Sequence, residues 1–378
     1  MKTTILTKVV GSLAIHLLLI AAGARAIAAT PALLQAKKEA EAKGYIFFAT
    51  HDEIVAAARK EGKLVVRTEL EPRNFEPLIN GFKQKYPFIT DVRLEDIPNT
   101  EAHQRSLLEI RSGQAKGLDI TPLALDFATE YPPHLMKHDV AGMAKHGVLK
   151  IHLGMIHPGE RNIVSVTGAI TVVPYNRKLI SEDKVPNKWD DFLKPEFKGK
   201  KFVLDIRPIR EASLVPAWGL ERTLEFARKL AAQQPVWSSS SASRVNTAIV
   251  AGEYPLAFTS TFNAIKRTMD KDRTGSLNYK IIEPVPTRIV DQPSAILNTA
   301  NHPHAALLWL EFLASPEGQE IIDKYEPLRA SVFTPGSFHE QLIRGKKLSA
   351  VDWDHFNKFE DYQAKIFAAY GLPKADIK

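Results

Sequence analysis

The sequence predicts an α/β protein built from two lobes, and three observations carry this prediction. Helical patterns alternate with short apolar strands from residue 51 onward, which is typical of mostly parallel sheets covered by helices on both faces. The chain has 378 residues. Even without a leader segment it exceeds the roughly 250–300 residues at which one hydrophobic core stops growing. Residues 168–205 separate two alternating regions, and we interpret them as the crossing between lobes.

Residues 1–28 have the pattern of a secretory signal peptide. Two lysines precede an apolar core over residues 9–22, and small residues follow it. One A-x-A cleavage motif ends at Ala26 and a second ends at Ala28. The apolar core is too short to span about 30 Å of hydrocarbon, so we expect a cleaved leader rather than a membrane anchor. The sequence therefore predicts an exported protein.

Composition excludes several classes of function. The chain contains no cysteine, which excludes disulfides, thiolate metal sites and cysteine nucleophiles. Removing the three basic residues of the leader lowers the formal net charge from +7 to +4. This mild excess, with both signs interspersed, gives no reason to expect nucleic acid as a partner.

The first half of the chain alternates helices and strands. Its clearest helix has apolar residues at positions 75, 78, 79, 82 and 86, the spacing of one helix face. A glycine at position 62 ends the preceding helix. In order, the pattern predicts helices over residues 31–43, 51–61, 75–86 and 100–114, and strands over residues 64–67, 88–94 and 118–125.

The same alternation resumes after the crossing. Ser241 or Ser243 can cap one helix and Gly252 ends it. The predicted strands cover residues 169–173, 201–204, 255–258, 279–284 and 293–297, the last two returning to the first lobe. The predicted helices cover residues 211–233 (one helix or two), 244–251, 259–270 and 302–314, with another from residue 316 and an amphipathic helix along residues 356–370.

Three segments resemble one protein family. Residues 168–205 read as a strand, Tyr-Asn, the pattern VPxxWxDxLxPxxKGK and a second strand. Residues 53–72 read EIVAAARKEGKLVVRTELEP, and residues 302–322 read HPHAALLWLEFLASPEGQEII. In this order they resemble the extracellular solute-binding proteins of ABC importers, in the branch often called ferric-iron type. The resemblance covers roughly residues 50–330.

The resemblance implies a two-lobe fold of the type II periplasmic binding proteins, a Venus flytrap with mixed, mostly parallel sheets joined by hinge strands. It implies a first lobe of residues 29–167 and 286–330 and a second lobe of residues 168–285. Residues 331–378 are then C-terminal helices packing on the lobes. It further implies a periplasmic monomer without enzymatic activity or cofactor, which closes on one solute and delivers it to a membrane permease and its ATPase.

Candidate solute contacts lie where strands lead into helices, because ligands of open α/β sheets bind at the carboxyl ends of the strands. The guanidinium groups suit carboxylate, phosphate or phosphonate oxygens, although each single arginine also suits a structural ion pair. The strongest pair is Arg207 with Arg210, beside a strand end and a helix start. We expect a hinge role for Tyr175 and Asn176. The predicted ligand-binding residues are Thr68, Arg73, Arg105, Arg207, Arg210, Ser240, Arg244, Ser260 and Thr261.

Two adjacent tyrosines supply phenolate ligands in the ferric members of that family. The corresponding positions here are about Ser260 and Thr261, neither of which supplies a phenolate. We therefore predict an anionic organic solute, such as a phosphonate, a phosphate ester or a carboxylate, with ferric iron as the alternative. The sequence does not distinguish an importer subunit from a sensory protein that hands its solute to a receptor.

A secreted metal-dependent hydrolase is the competing class. His134 and His138 are spaced i, i+4, and His302 with His304 forms a second pair. No H-E-x-x-H, G-x-S-x-G, P-loop or G-x-G-x-x-G motif is present. We therefore expect histidines satisfied within the fold, with neither a metal site nor catalytic residues.

Overall fold

The structure is a computed structural model that describes residues 30–97, 100–325 and 328–372. The predicted leader and its two cleavage motifs lie outside these residues. The α-helices are α1 (Pro31–Ala42), α2 (His51–Glu61), α3 (Phe75–Lys85), α4 (Thr100–Arg111), α5 (Val140–Lys145), α6 (Ile209–Ala212), α7 (Val215–Trp218), α8 (Leu220–Ala232), α9 (Ala242–Ala251), α10 (Phe262–Met269), α11 (Pro303–Ala314), α12 (Pro316–Tyr325), α13 (Phe338–Ile343), α14 (Trp353–Phe356) and α15 (Phe359–Ala369).

The strands form mixed sheets, as predicted. They are β1 (Lys63–Thr68), β2 (Asp91–Asp96), β3 (Ile120–Pro122), β4 (Thr167–Asn176), β5 (Val203–Asp205), β6 (Val236–Ser238), β7 (Ser260–Thr261), β8 (Leu277–Lys280), β9 (Val285–Asp291), β10 (Ser294–Ile296) and β11 (Leu348–Val351). Among the described residues, no helix has both the length and the apolarity to cross a membrane.

The first lobe is organised around a four-stranded sheet in the order β10-β3-β1-β2. β1 pairs parallel with β2 and with β3, and β10 closes the edge antiparallel to β3. The apolar stripe of α3 packs against α11 and α12 in one core. In that core the ring of Phe82 meets Trp309 edge-on at 5.0 Å between centroids. The carboxyl ends of β1, β2 and β3 consequently share one edge.

The second lobe has its own core, centred on aromatic side chains from the crossing segment. Phe192 lies edge-on to Phe258 at 4.9 Å, and Trp189 is 5.4 Å from the same ring. The Trp189 indole Nε1 donates to the Pro284 carbonyl at 3.0 Å, which satisfies its polar atom. β5 and β6 are parallel, so Asp205 and Ser238 emerge side by side at the carboxyl edge of this lobe.

Two long strands join the lobes. All ten residues of β4 are buried, and β4 runs antiparallel to β9, which pairs parallel with β11. β4 begins at Thr167 and β9 at Val285, next to the predicted lobe boundaries, although the division into lobes stays a prediction. At the end of β9, the buried Asp291 carboxylate pairs with Arg288 at 3.1 Å and with Arg329. This buried cluster lies where β9 enters the first lobe and pairs with the beginning of β4, and it holds the two strands together there.

The C-terminal segment is more structured than the single predicted helix. β11 lies in the strand pair between the lobes, and the helical run is interrupted at residues 357–358, between α14 and α15. Trp353 and Phe356 pack with core residues of the first lobe. Phe359, Ile366 and Tyr370 belong to the core of the second lobe.

Several predicted boundaries differ from the structure for identifiable reasons. The strand expected over residues 88–94 covers Asp91–Asp96, because a turn occupies residues 87–88. The strand expected over residues 255–258 makes only isolated bridges through Leu256 and Ala257. The helix expected from residue 259 begins at Phe262, because Ser260 and Thr261 pair with β4 as strand β7.

Candidate functional site

A cavity of about 430 Å³ lies between the two lobes. The first lobe contributes Glu71 and Arg73, from the loop that follows the carboxyl end of β1. The second lobe contributes Ser243, Thr247 and Val250 of α9, Arg267 and Thr268 of α10, and Lys271 and Asp272 of the turn that follows α10. A cavity next to the carboxyl end of a strand and lined by both lobes is where an α/β fold of this type binds a small solute.

An ion pair crosses this cavity. The guanidinium of Arg267 donates from Nη1 to Glu71 Oε1, which joins the second lobe to the first. Arg73 lies in the same cavity, with its Nη2 4.0 Å from the other Glu71 oxygen. Burial, and secondly the negative charge of Glu71, raises the pKa of Asp96 on the neighbouring strand. Negative charge at the first-lobe edge therefore faces positive charge on α10.

The other charged side chains of the cavity differ in how far their polar atoms are already hydrogen-bonded or ion-paired. Although burial opposes it, hydrogen bonds from the Leu277 and Thr274 amides hold the pKa of Asp272 well below its usual range. Its carboxylate oxygens are thereby occupied by the turn that follows α10. Lys271, in contrast, forms no ion pair within the described part of the chain. Lys271 and the half-exposed Arg73 are the cations with most capacity left for a solute.

A second cavity, of about 600 Å³, adjoins the first through two shared lining residues, Ser243 and Thr247. It contains Ser240 and Arg244, both predicted as solute contacts, together with Trp237 and Tyr254. The Ser241 hydroxyl accepts from the Arg244 amide and begins α9 between the two cavities.

The strongest predicted pair, Arg207 and Arg210, is engaged within the second lobe. Arg207 donates from Nε and Nη2 to Asp205 at 3.0 and 2.9 Å, and its Nη2 also donates to the Ser240 carbonyl at 3.2 Å. Arg210 donates from Nη1 to the same carboxylate at 3.3 Å. The structure thus brings Arg207, Arg210 and Ser240 together at the carboxyl ends of β5 and β6, with Asp205 as the common partner of the two arginines.

The other predicted contacts are dispersed. Thr68 accepts from the Leu70 amide at 3.1 Å and shapes the loop that leads to Glu71. Arg105 is exposed on α4. Ser260 and Thr261 form β7, where the Ser260 hydroxyl is buried without a partner among the described residues.

Tyr175 and Asn176, the predicted hinge pair, are buried at the second-lobe end of β4. The Asn176 amide Nδ2 donates to the Ile249 carbonyl at 2.7 Å, and the Tyr175 hydroxyl accepts from Asn278 at 2.7 Å. Both side chains are therefore anchored within the second lobe, far along the strand from the border at Thr167. Their hinge role stays a prediction.

Beneath Arg207 and Arg210 lies a buried carboxyl group that the sequence did not indicate. Glu211 on α6 is 1% exposed, and neither of its oxygens has a hydrogen-bond partner among the described residues. Burial raises its pKa to about 8, and Tyr370, the residue that follows α15, lies beside it. At neutral pH this group is therefore mostly protonated in the folded protein.

We expect Glu211→Gln to change how stability depends on pH. Because the folded pKa exceeds the unfolded one, the wild type loses stability as pH rises from the ordinary glutamic-acid range through about 8. Glutamine does not titrate, so the variant should gain free energy of unfolding relative to wild type between about pH 5 and 8. Urea unfolding at both ends of this range measures the difference, with the exposed Glu221→Gln as control. Parallel pH profiles for wild type and Glu211→Gln would contradict the buried, protonated state.

Two of the four histidines that suggested a hydrolase, His302 and His304, have carboxylate partners within the fold. His302 Nδ1 is 2.9 Å from Asp119, and His304 Nδ1 is 2.6 Å from Glu61. Burial lowers the pKa of His138 to about 3. In the described ranges, no group of three or more His, Asp or Glu side chains is arranged to hold a metal ion.

Comparison with protein families gives one match, which covers residues 141–358 and therefore more than half of the chain. The matching family is described as bacterial extracellular solute-binding protein. This chain belongs to that family. It is the solute-binding component of an ABC transporter, as the sequence motifs predicted, and its family is one of transport proteins rather than enzymes. No curated protein sequence matches the chain.

Solved structures of extracellular solute-binding proteins share the fold. The apo ferric ion-binding protein A of Pasteurella haemolytica has a TM-score of 0.64 at 14% identity, covering 83% of this chain and 100% of that one. The Trichodesmium protein in complex with iron and citrate gives 0.61 at 15% identity, with 82% and 100% covered. The substrate-binding protein of an ABC transporter from Agrobacterium tumefaciens gives 0.60 at 16% identity, with 80% and 94% covered. These likenesses confirm the predicted two-lobe fold.

Arg267 and Lys271 are the cavity residues that sequence reasoning missed in this solute-binding protein. They are four residues apart, with Arg267 on α10 and Lys271 in the turn that follows the helix. That spacing was visible in the sequence. Nothing in the sequence indicated that the loop after β1 reaches the same side, which is what brings Arg73 and Glu71 to them.

Proposed function

We propose that this protein captures a small anionic solute between its lobes, in the periplasm, and delivers it to the permease and ATPase of an importer. The observation that carries the proposal is the convergence of Arg73, Arg267 and Lys271 on one cavity lined by both lobes. Export through the leader of residues 1–28, a monomeric state and the lobe boundaries given above are parts of the same proposal.

The chemistry of the cavity suits an oxyanion. Arginine presents N–H donors in a planar fork that matches carboxylate and phosphoryl oxygens, and lysine adds a compact positive charge. The hydroxyl groups of Ser243 and Thr247 extend the polar lining toward the adjoining cavity. Because Arg73 comes from one lobe and Lys271 from the other, an anion that binds both favours the closed arrangement.

The remaining predicted contacts form a second, inner region of the proposed site. Arg207 and Arg210 share Asp205, and Ser240 and Arg244 line the second cavity. We propose that a solute longer than a single anionic group extends from the first cavity toward these residues. Thr68 and Ser260 contribute by shaping loop and strand ends, and Arg105 and Thr261 stay proposed contacts.

Replacing both Arg73 and Lys271 by alanine should weaken anion binding at least about tenfold, because a hydrogen bond to a charged group contributes roughly 1.5–3 kcal/mol. Isothermal titration calorimetry with inorganic phosphate, methylphosphonate and glycerol 3-phosphate measures the loss. Arg344→Ala with Lys365→Ala, both in exposed i,i+4 ion pairs outside the cavity, is the matched control. Equal affinities in wild type and the Arg73→Ala/Lys271→Ala variant would show that the anion does not bind in this cavity.

Ferric iron is the alternative solute. Its support comes from fold relatives described as ferric ion-binding proteins, and from a polar group at the first-lobe edge in which His103 Nε2 is 3.3 Å from Glu69. Ser260 and Thr261, in β7 of the second lobe, supply no phenolate. Isothermal titration calorimetry with ferric citrate, compared with citrate alone, tests this alternative. Binding of ferric citrate without binding of citrate or of the organic anions would favour iron.

A further inference from the structure

Glu71 is a carboxylate of the interlobe cavity, and its partners include the cations that a solute would use. It emerges from the first lobe after β1, and its Oε1 accepts from Arg267 of the second lobe. Its Oε2 faces Arg73 at 4.0 Å. Asp272, the other carboxylate of the lining, has its oxygens engaged by the turn after α10. Glu71 thus lies between the two arginines.

This arrangement is partly open to water. The side chain of Glu71 is 38% exposed and that of Arg267 is 20% exposed, so the pair can exchange partners without unfolding either lobe. Ion pairs at such exposure are weak, because water competes for both partners. A second anion that reaches Arg267 therefore competes directly with the Glu71 carboxylate.

We infer that Glu71 is an internal ligand, which occupies the anion subsite on Arg267 until a solute displaces it. This inference rests on the proposed function. It also narrows the class of solute. A monocarboxylate would exchange one carboxylate for another on Arg267, with little gain. A dianionic oxyanion, such as a phosphate monoester or a phosphonate, binds Arg267 and retains charge for Arg73 and Lys271.

The test compares wild type with Glu71→Gln by isothermal titration calorimetry at about pH 8, where a phosphate monoester carries close to two negative charges. The probes are inorganic phosphate, methylphosphonate, glycerol 3-phosphate and acetate. The wild type should bind the dianions in preference to acetate. The variant should bind the dianions about threefold to fivefold more tightly, because the weak competition from the carboxylate is gone while glutamine keeps the shape of the side chain. Glu340→Gln, which breaks an exposed pair with Arg344, is the matched control and should change nothing.

The outcomes separate this inference from the function on which it rests. If wild type binds the dianions but Glu71→Gln binds them equally well or more weakly, the internal-ligand inference is overturned and the proposed function stands. If neither protein binds any of the anions, both are overturned. Glu71→Asp retains the charge but shortens the side chain, and it should bind the dianions with an affinity between those of wild type and Glu71→Gln. An Asp variant tighter than the Gln variant would also overturn the inference.

Discussion

Replacing Asp291 by asparagine lowers the free energy of unfolding by about 3–5 kcal/mol, the range for removing one partner of a buried ion pair. Asp291 is 3% exposed and pairs with Arg288 and Arg329, which are 18% and 11% exposed. The variant leaves both guanidinium groups buried without their carboxylate, at the point where β9 meets the first lobe. Urea unfolding near neutral pH measures the loss. Asp361→Asn, in an exposed pair with Lys365, should cost less than about 1 kcal/mol.

The pH dependence of this loss follows from the same contacts. Burial alone would raise the pKa of Asp291, but the attraction of Arg288 and Arg329 outweighs it and the pKa lies below its usual value. A depressed folded pKa means that the carboxylate stabilises the protein above the unfolded pKa, and that this stability is lost as pH falls through the folded pKa. The difference between wild type and Asp291→Asn should persist at about pH 5 and narrow only below about pH 4. A difference that vanishes already at neutral pH would contradict the buried ion pair.

Replacing Phe359 by alanine costs about 3–5 kcal/mol, the usual range for truncating a buried aromatic side chain. Phe359 is 1% exposed in the core of the second lobe, at the start of α15. The same helix offers its own control in Phe367, which is 46% exposed. Phe367→Ala should change the free energy of unfolding by no more than about 0.5 kcal/mol.

Chemical denaturation of the two variants, side by side, measures this contrast. Equal and small effects would mean that the C-terminal helix is not part of the second-lobe core, contrary to the structure. The same comparison tests the prediction that residues 331–378 pack on the lobes, since Phe359 belongs to this segment. Trp353 and Phe356 of the same segment lie in the core of the first lobe.

Much of the fold was readable from local pattern. The i, i+3, i+4 spacing that begins at Phe75 predicts α3, and Gly62 ends α2 with a positive φ of 64°, a conformation that glycine adopts without strain. The elements that were predicted wrongly or missed depend on pairing with segments far away in sequence. Residues 256–257 resemble a strand but form only isolated bridges, and β11 was not predicted because its pairing with β9 joins residues far apart in sequence.

Only part of the candidate site could be predicted from the sequence, because the cavity is also formed by segments that are far apart along the chain. The residue types at strand ends identified Arg73, Ser240 and Arg244, all of which line interlobe or adjoining cavities. Arg207 and Arg210 both pair with Asp205, which precedes them by only two and five residues, and their role as solute contacts stays a prediction. Arg267 lies on α10 and Lys271 in the turn after it, and only the three-dimensional path of the first-lobe loop joins them to Arg73.

The central claim is that an anionic solute binds between the lobes, and a thermal-shift screen of the mature protein tests it most directly. The screen compares phosphate esters, phosphonates, small carboxylates, amino acids, polyamines and ferric citrate, because a ligand that binds only the folded state raises its stability. We predict a shift with dianionic oxyanions that is lost in the Arg73→Ala/Lys271→Ala variant and retained in Arg344→Ala/Lys365→Ala. A shift with polyamines or with ferric citrate alone, unchanged in the cavity variant, would contradict the claim.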